Sequence, residues 1–166
     1  MFERFPEIGP RGLPGIPCAV NVQNGLKVFR AMDEDSRRRP NAASYLRARL
    51  LDILVGDWDR HVKQWRWARC EEGDRITWYP VPMDRDQAFA RFDGLVPWIA
   101  ARSVPEIEGF SDEFGDLNDL VHTGRFLDRR ILAGFDRPAW DSVTADVLAR
   151  VTDSVIGSAV ATLPPE

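Results

Sequence analysis

Gly56-Asp57-Trp58-Asp59-Arg60-His61-Val62-Lys63-Gln64-Trp65 and, one hairpin later, Asp84-Arg85-Asp86-Gln87-Ala88-Phe89 are the stretches on which the reading of this chain turns. Between them, Gln64 to Arg69 and Ile76 to Val81 alternate around Glu72-Gly73-Asp74, which reads as a β-hairpin with Trp65, Trp67, Trp78 and Tyr79 distributed over its faces. Upstream, Tyr45, Leu46, Leu50, Ile53 and Leu54 recur at helical spacing behind the candidate caps Asn41 and Ser44, with Pro40 before the helix and Gly56 ending it. The first acidic stretch thus sits where a helix stops, on a loop free to aim its side chains. The hairpin returns the second beside it.

Two carboxylate-bearing loops side by side suit a divalent cation. Mg²⁺ takes hard oxygen ligands, commonly one or two protein carboxylates, and fills its shell with water and phosphate oxygens. In phosphoryl transfer an acid near the acceptor hydroxyl takes its proton while another acid and an amide hold the metal. The order of residues fits that division: Asp59 as base, Gln64 as amide ligand, and Asp84 or Asp86 as the metal-holding acid. Arg60 and His61 read as supports of the catalytic loop through hydrogen bonds to carboxylates or backbone. Asp57 reads as a cap or turn residue. His61 is not expected to bind metal, because His122 is distant and no Cys lies at ligand spacing.

The combination of helix, Asp59-Arg60-His61-x-x-Gln64, hairpin and Pro82-Met83-Asp84-Arg85-Asp86 resembles the catalytic core of atypical kinases of the HipA and CotH kind. These carry Asp-Arg-His-x-x-Asn or a close variant, with a later Asp on the metal. It is also similar to an uncharacterised kinase-like segment of larger bacterial envelope proteins, in which Gly-Asp-Trp-Asp-Arg-His, Gln-Trp-Arg-Trp and Asp-Arg-Asp-Gln-Ala-Phe occur together. The resemblance is strongest over residues 42–98. It implies Mg²⁺-dependent phosphoryl transfer from a nucleotide, ATP, to an unknown acceptor, and association with a larger envelope protein. It also implies a phosphate-pairing lysine, for which Lys27 is the candidate. Gln64 stands where those kinases usually have Asn, so that the metal would sit about one methylene further out or be held through water.

The fold expected on this basis is α+β: a kinase-like C-terminal lobe, mainly helical, with one β-hairpin at the site and the N-lobe missing or vestigial. Residues 1–40 read as a Pro/Gly-rich arm carrying a short hairpin turned at Asn24-Gly25, and residues 41–166 as the lobe. Since so little chain precedes the helix, the alternative function is that of a catalytically inactive pseudokinase or protein-interaction domain. No GxGxxG or GxxxxGK[ST] occurs in the sequence. After a stretch interrupted by Pro97 and Pro105, Phe126 to Phe135 reads as a short amphipathic helix. A final helix carries Trp140, Val143, Val147, Val151 and Val155 on one stripe and stops at Pro164-Pro165.

Bulk properties exclude more than they assign. The chain has 166 residues, enough for one core, and its six Trp point to aromatic packing. A net charge of −4, with Lys27 and Lys63 the only lysines and Arg37-Arg38-Arg39 set beside Asp33-Glu34-Asp35, leaves no basic face for nucleic acid. No apolar run reaches the ~20 residues of a membrane span, and the N-terminus lacks the pattern of a secretory signal. Cys18 and Cys70 match neither a CxxC pair nor a metal spacing, and two cysteines are not expected to make a disulfide framework. A glycosidase would use the same carboxylates with only their number in its favour, and no Gly-x-Ser-x-Gly elbow supports a serine hydrolase.

Overall fold

The computed structural model describes residues 12–91, 109–111, 113 and 115–162. The first residues of the arm, the stretch through Pro97 and Pro105 and the Pro164-Pro165 stop lie outside the described residues. Strand β1 (Ala19–Asn24) passes directly into helix α1 (Gly25–Glu34). Asn24 makes this junction: its extended backbone lets the side chain accept a hydrogen bond at 3.1 Å from the Lys27 N–H, a donor the helix start leaves free. The expected Asn24-Gly25 hairpin is therefore corrected to a helix cap. Gly25 serves close packing, because a Cβ there would stand 2.9 Å from Val62 Cγ1.

Strand β2 (Arg38–Pro40) follows, and Asn41 then starts helix α2 (Ala42–Leu54) by accepting from the Ser44 N–H at 2.9 Å. Strands β3 (Trp65–Glu72) and β4 (Arg75–Pro82) form the expected antiparallel hairpin, turned at Gly73 with φ 57°. The hairpin does not stand alone. Four strands form one mixed sheet in the order β1-β3-β4-β2, with β1 antiparallel to β3 and β2 parallel to β4. This corrects the expected mainly helical, kinase-like lobe. The protein is α+β, and residues 19–40, expected as an arm, supply two of the four strands and α1.

Strand alternation decides what covers each face of the sheet. Trp65, Trp67 and Trp78 lie on one face, all 1% exposed or less, and pack with Tyr45 and Leu46 of α2 and with Val28 and Phe29 of α1. Ala68 lies on the other with Leu13 and Ala19, flanked by Tyr79 and Val81. There the Cys18–Cys70 disulfide, with Cα atoms 5.2 Å apart, fastens the chain before β1 to β3. Only the pairing of β1 with β3 brings these cysteines together, since 52 positions separate them in sequence.

The remaining α-helices among the described residues are α3 (Leu117–Leu120), α4 (Arg125–Leu132), α5 (Arg137–Arg150) and α6 (Asp153–Val160). Leu127, Ile131 and Leu132 of α4 and Val143 of α5 complete the core beneath α2. The expected single final helix is two. Thr152, extended and accepting at 3.3 Å from the Val155 N–H, starts a new helix where the apolar stripe alone suggested continuity. No helix among the described residues is long and apolar enough to cross a membrane.

Candidate functional site

Helix α2 ends in a glycine-based cap: the Asp57 N–H donates to the Asp52 carbonyl at 2.8 Å, the Gly56 N–H donates to Ile53 at 3.1 Å, and Gly56 sits at φ 72°. This turn drives Asp57 inward, to 1% exposure. Arg60 then folds back beneath the loop and is fully buried. Its Nε lies 3.1 Å from Asp52 Oδ2 as an ion pair, and its Nη1 donates to Asp57 Oδ2 at 3.2 Å. Its guanidinium lies 4.7 Å from the Trp65 ring centroid.

Arg60 also reaches the second acidic loop, donating to the Met83 carbonyl at 2.8 Å and the Asp84 carbonyl at 3.3 Å. Its backbone N–H donates to Thr123 Oγ1 at 2.9 Å, and that hydroxyl in turn donates to the Trp58 carbonyl. Arg60 is thus tied to backbone or side-chain groups of both acidic loops and to Thr123. The two loops are also joined at the hairpin's open end, where the Met83 N–H donates to the Gln64 carbonyl at 2.9 Å.

Asp59 has different surroundings from Asp57. Its side chain is 26% exposed, and Gln64 Nε2 donates to its Oδ2 at 3.2 Å. His61 Nδ1 accepts from the Lys63 N–H at 3.1 Å, so a neutral ring carries its proton on Nε2, which lies 3.6 Å from Asp59 Oδ1. Among the described residues no arginine or lysine pairs with Asp59. With Gln64 Nε2 committed to Asp59, the amide's other atom, Oε1, is left as the acceptor a cation could use.

Asp84 and Asp86 are exposed, and among the described residues no hydrogen bond or ion pair holds either carboxylate. Asp84 sits at φ 49°, a region that non-glycine residues rarely occupy, so the chain turns sharply as it leaves β4. Lys27 lies exposed in the first turn of α1, a helix and not the strand of a hairpin, and no hydrogen bond or ion pair among the described residues joins its ammonium to the acidic loops. Among the described residues no three His, Cys, Asp or Glu side chains gather as a metal-binding group. The structure thus brings Asp59, Gln64 and His61 together, links the Asp84 backbone to Arg60, and leaves Lys27 outside those contacts.

Several residues of this site escaped the sequence reading. Asp52 is fully buried on α2, where Arg85 donates to its Oδ1 through Nε at 3.0 Å and Nη2 at 2.9 Å. Arg49 Nη1 lies 3.6 Å from Asp52 Oδ2, and Arg49 also pairs with Asp128 at 2.9 Å, which in turn accepts from the Tyr45 hydroxyl at 2.7 Å. Three arginines and three aspartates therefore form one connected network from α4 to both acidic loops. Tyr45, Arg49 and Asp52 share a helix face at spacings of four and three, a legible sign of polar residues on an inward stripe. Burial pushes Asp57 up to about 6 against the pull of Arg60. Burial likewise pushes Asp52 up, with Arg60, Arg85 and Arg49 pulling the other way.

No protein-family model, curated protein or solved structure matches the chain. The functional reading therefore rests on the chemistry of these loops.

Proposed function

We propose that the two acidic loops carry out Mg²⁺-dependent phosphoryl transfer from a nucleotide to an acceptor hydroxyl. The observation that carries this reading is the contrast between neighbouring acids: Asp52 and Asp57 are spent on buried arginines, whereas among the described residues Asp59 is held only by Gln64 and His61 and keeps solvent access. The resemblance of Asp59-Arg60-His61 and Asp84-Arg85-Asp86 to atypical kinase motifs supports the same chemistry, and the reading concerns these loops and not a kinase fold.

The residues divide the work by their environment. Asp59 Oδ1, which has no hydrogen bond among the described residues, takes the proton of the acceptor hydroxyl as its oxygen bonds to the terminal phosphorus. The bond from that phosphorus to the nucleotide diphosphate oxygen breaks. Gln64, through the amide nitrogen bound to Asp59 Oδ2, fixes the orientation of the carboxylate. Gln64 Oε1, Asp84 and Asp86 are the groups that would hold Mg²⁺, whose contribution when bound is to neutralise charge on the phosphate oxygens. Few protein ligands suffice for this ion, so a donor set of an amide oxygen and two free carboxylates fits it. Arg60 keeps the loops together by holding the Met83 and Asp84 carbonyls.

Transfer of the labelled terminal phosphate from Mg²⁺–ATP to a panel of hydroxyl acceptors tests the reading. Asp59→Asn is expected to lower the transfer rate by about 10²- to 10⁴-fold, the range for a general base, while leaving nucleotide binding in place. Transfer at the wild-type rate in this variant would remove Asp59 from the mechanism.

A further inference from the structure

The second acidic loop has few anchors. After the Met83 N–H bonds the Gln64 carbonyl, the chain turns through Asp84 at φ 49°, and the next backbone bond to the body of the protein is from the Phe89 N–H to the Val55 carbonyl at 2.8 Å. Between these points, among the described residues, two side-chain ties hold the loop: Arg85 to Asp52 Oδ1, and Arg60 to the Asp84 carbonyl. Both arginines converge on one carboxylate, because Arg60 Nε also pairs with Asp52 Oδ2.

We propose that Asp52 is the positioning residue of the site, the single buried carboxylate through which the first acidic loop, by Arg60, and the second, by Arg85, are registered against each other. Neither loop touches Asp52 through the groups proposed to do chemistry, so its role is exercised through the two guanidiniums. The geometry has a reason to use a carboxylate here. Asp52 offers two oxygens at a fixed separation: Oδ1 accepts both hydrogen bonds of Arg85, and Oδ2 lies in ion-pair contact with Arg60 and Arg49, so the two loop arginines meet different atoms of one carboxylate. Its position on α2, with its carbonyl inside the helix cap and its side chain fully buried, gives both arginines a rigid reference. The network closes on itself in charge: Arg49, Arg60 and Arg85 against Asp52, Asp57 and Asp128. Removing Asp52 would leave three guanidiniums converging on an empty centre.

The functional consequence rests on the phosphoryl-transfer reading, whereas the registration of the loops does not, and the test separates the two. Asp52→Asn removes the charge at constant volume. Because that variant can fail to fold, Arg85→Met is made as well: Arg85 is one-third exposed, so its loss should leave the core intact. Hydrogen exchange over residues 83–90, with the β3–β4 hairpin as internal reference, is expected to show loss of protection confined to the loop in Arg85→Met, with Arg85→Lys partly restoring it. In transfer assays the same variant should raise KM for Mg²⁺–ATP about 10- to 100-fold, as is usual for a residue that orients metal ligands, with kcat changed less, and Arg85→Lys should recover part of that loss. Unchanged exchange over 83–90 in Arg85→Met overturns the inference, whatever the activity. Loosening of the loop together with wild-type protein that neither binds nor transfers from Mg²⁺–ATP upholds the registration by Asp52 and overturns the phosphoryl-transfer reading alone.

Discussion

Replacing Cys18 and Cys70 together with alanine should destabilise the protein by about 4 kcal/mol, and the figure follows from how much chain the bridge closes. The 52-position separation spans β1, α1, β2, α2 and most of β3. Closing a loop of that length removes on the order of 14 cal/mol/K from the unfolded chain in the chain-entropy treatment, which is about 4 kcal/mol near room temperature. For a chain of this size that corresponds to a fall in Tm of roughly 8–16 °C. Thermal and urea unfolding of wild type and the double variant measure it, and wild type in excess dithiothreitol provides a control free of any side-chain change. The loss should also be local in the native state, because the bridge secures the small cluster of Leu13, Ala19 and Ala68 beside a bulge in the β1–β3 pairing. Hydrogen exchange should therefore quicken in β1 before the β3–β4 hairpin. A double variant within about 1 kcal/mol of wild type, with β1 still protected, would refute the claim that the bridge constrains this loop, given the expected magnitude.

Asp57 gives a pH signature. Its folded carboxyl is raised from 3.8 to about 6 by burial, so its contribution is fully present below pH 3.8 and is lost as the pH rises through about 6. Asp57→Asn removes this titration, and its stability relative to wild type should rise by on the order of 2–3 kcal/mol between acidic and neutral pH in urea unfolding; a flat difference would contradict the shift. Gly124→Ala places a Cβ 2.6 Å from Arg49 Nη2, a guanidinium that Asp128 holds in place, and should cost about 1–3 kcal/mol by thermal unfolding. Asn41→Ala removes the cap of α2 and should cost about 1 kcal/mol by the same measurement.

The elements legible in the sequence are those fixed by neighbours along the chain. Helix α2 announces itself through its cap at Asn41, its apolar spacing and Gly56, and the β3–β4 hairpin through alternation about Gly73. The extended segment of β1 before Asn24-Gly25 is legible as the first strand of a hairpin, but its true partner β3 is distant in sequence, and β2, with only three residues paired to distant β4, leaves no signal. Asn24-Gly25 is ambiguous because the same pair serves positive-φ turns and helix caps; in the fold the Asn24 side chain caps α1. The two acidic loops could be placed side by side from the hairpin alone. What sorts the carboxylates, with Asp52 of α2 and Asp57 buried against arginines and Asp59 bonded instead to Gln64 and beside His61, is three-dimensional and has only a weak trace in the sequence: Arg49 and Asp52 on an apolar helix stripe. The disulfide left no trace at all, since the spacing of Cys18 and Cys70 has no meaning until the sheet forms.

The most direct test of the proposed chemistry is calorimetric titration of the oxidised protein with ATP in the presence and absence of Mg²⁺. Saturable heat that requires both components, and that weakens about 10- to 100-fold or more when Asp84 and Asp86 are replaced by asparagine, is the expected result for loops that hold a nucleotide-bound metal. Heat that is absent, or that is the same without Mg²⁺ and in the doubly substituted protein, would contradict it.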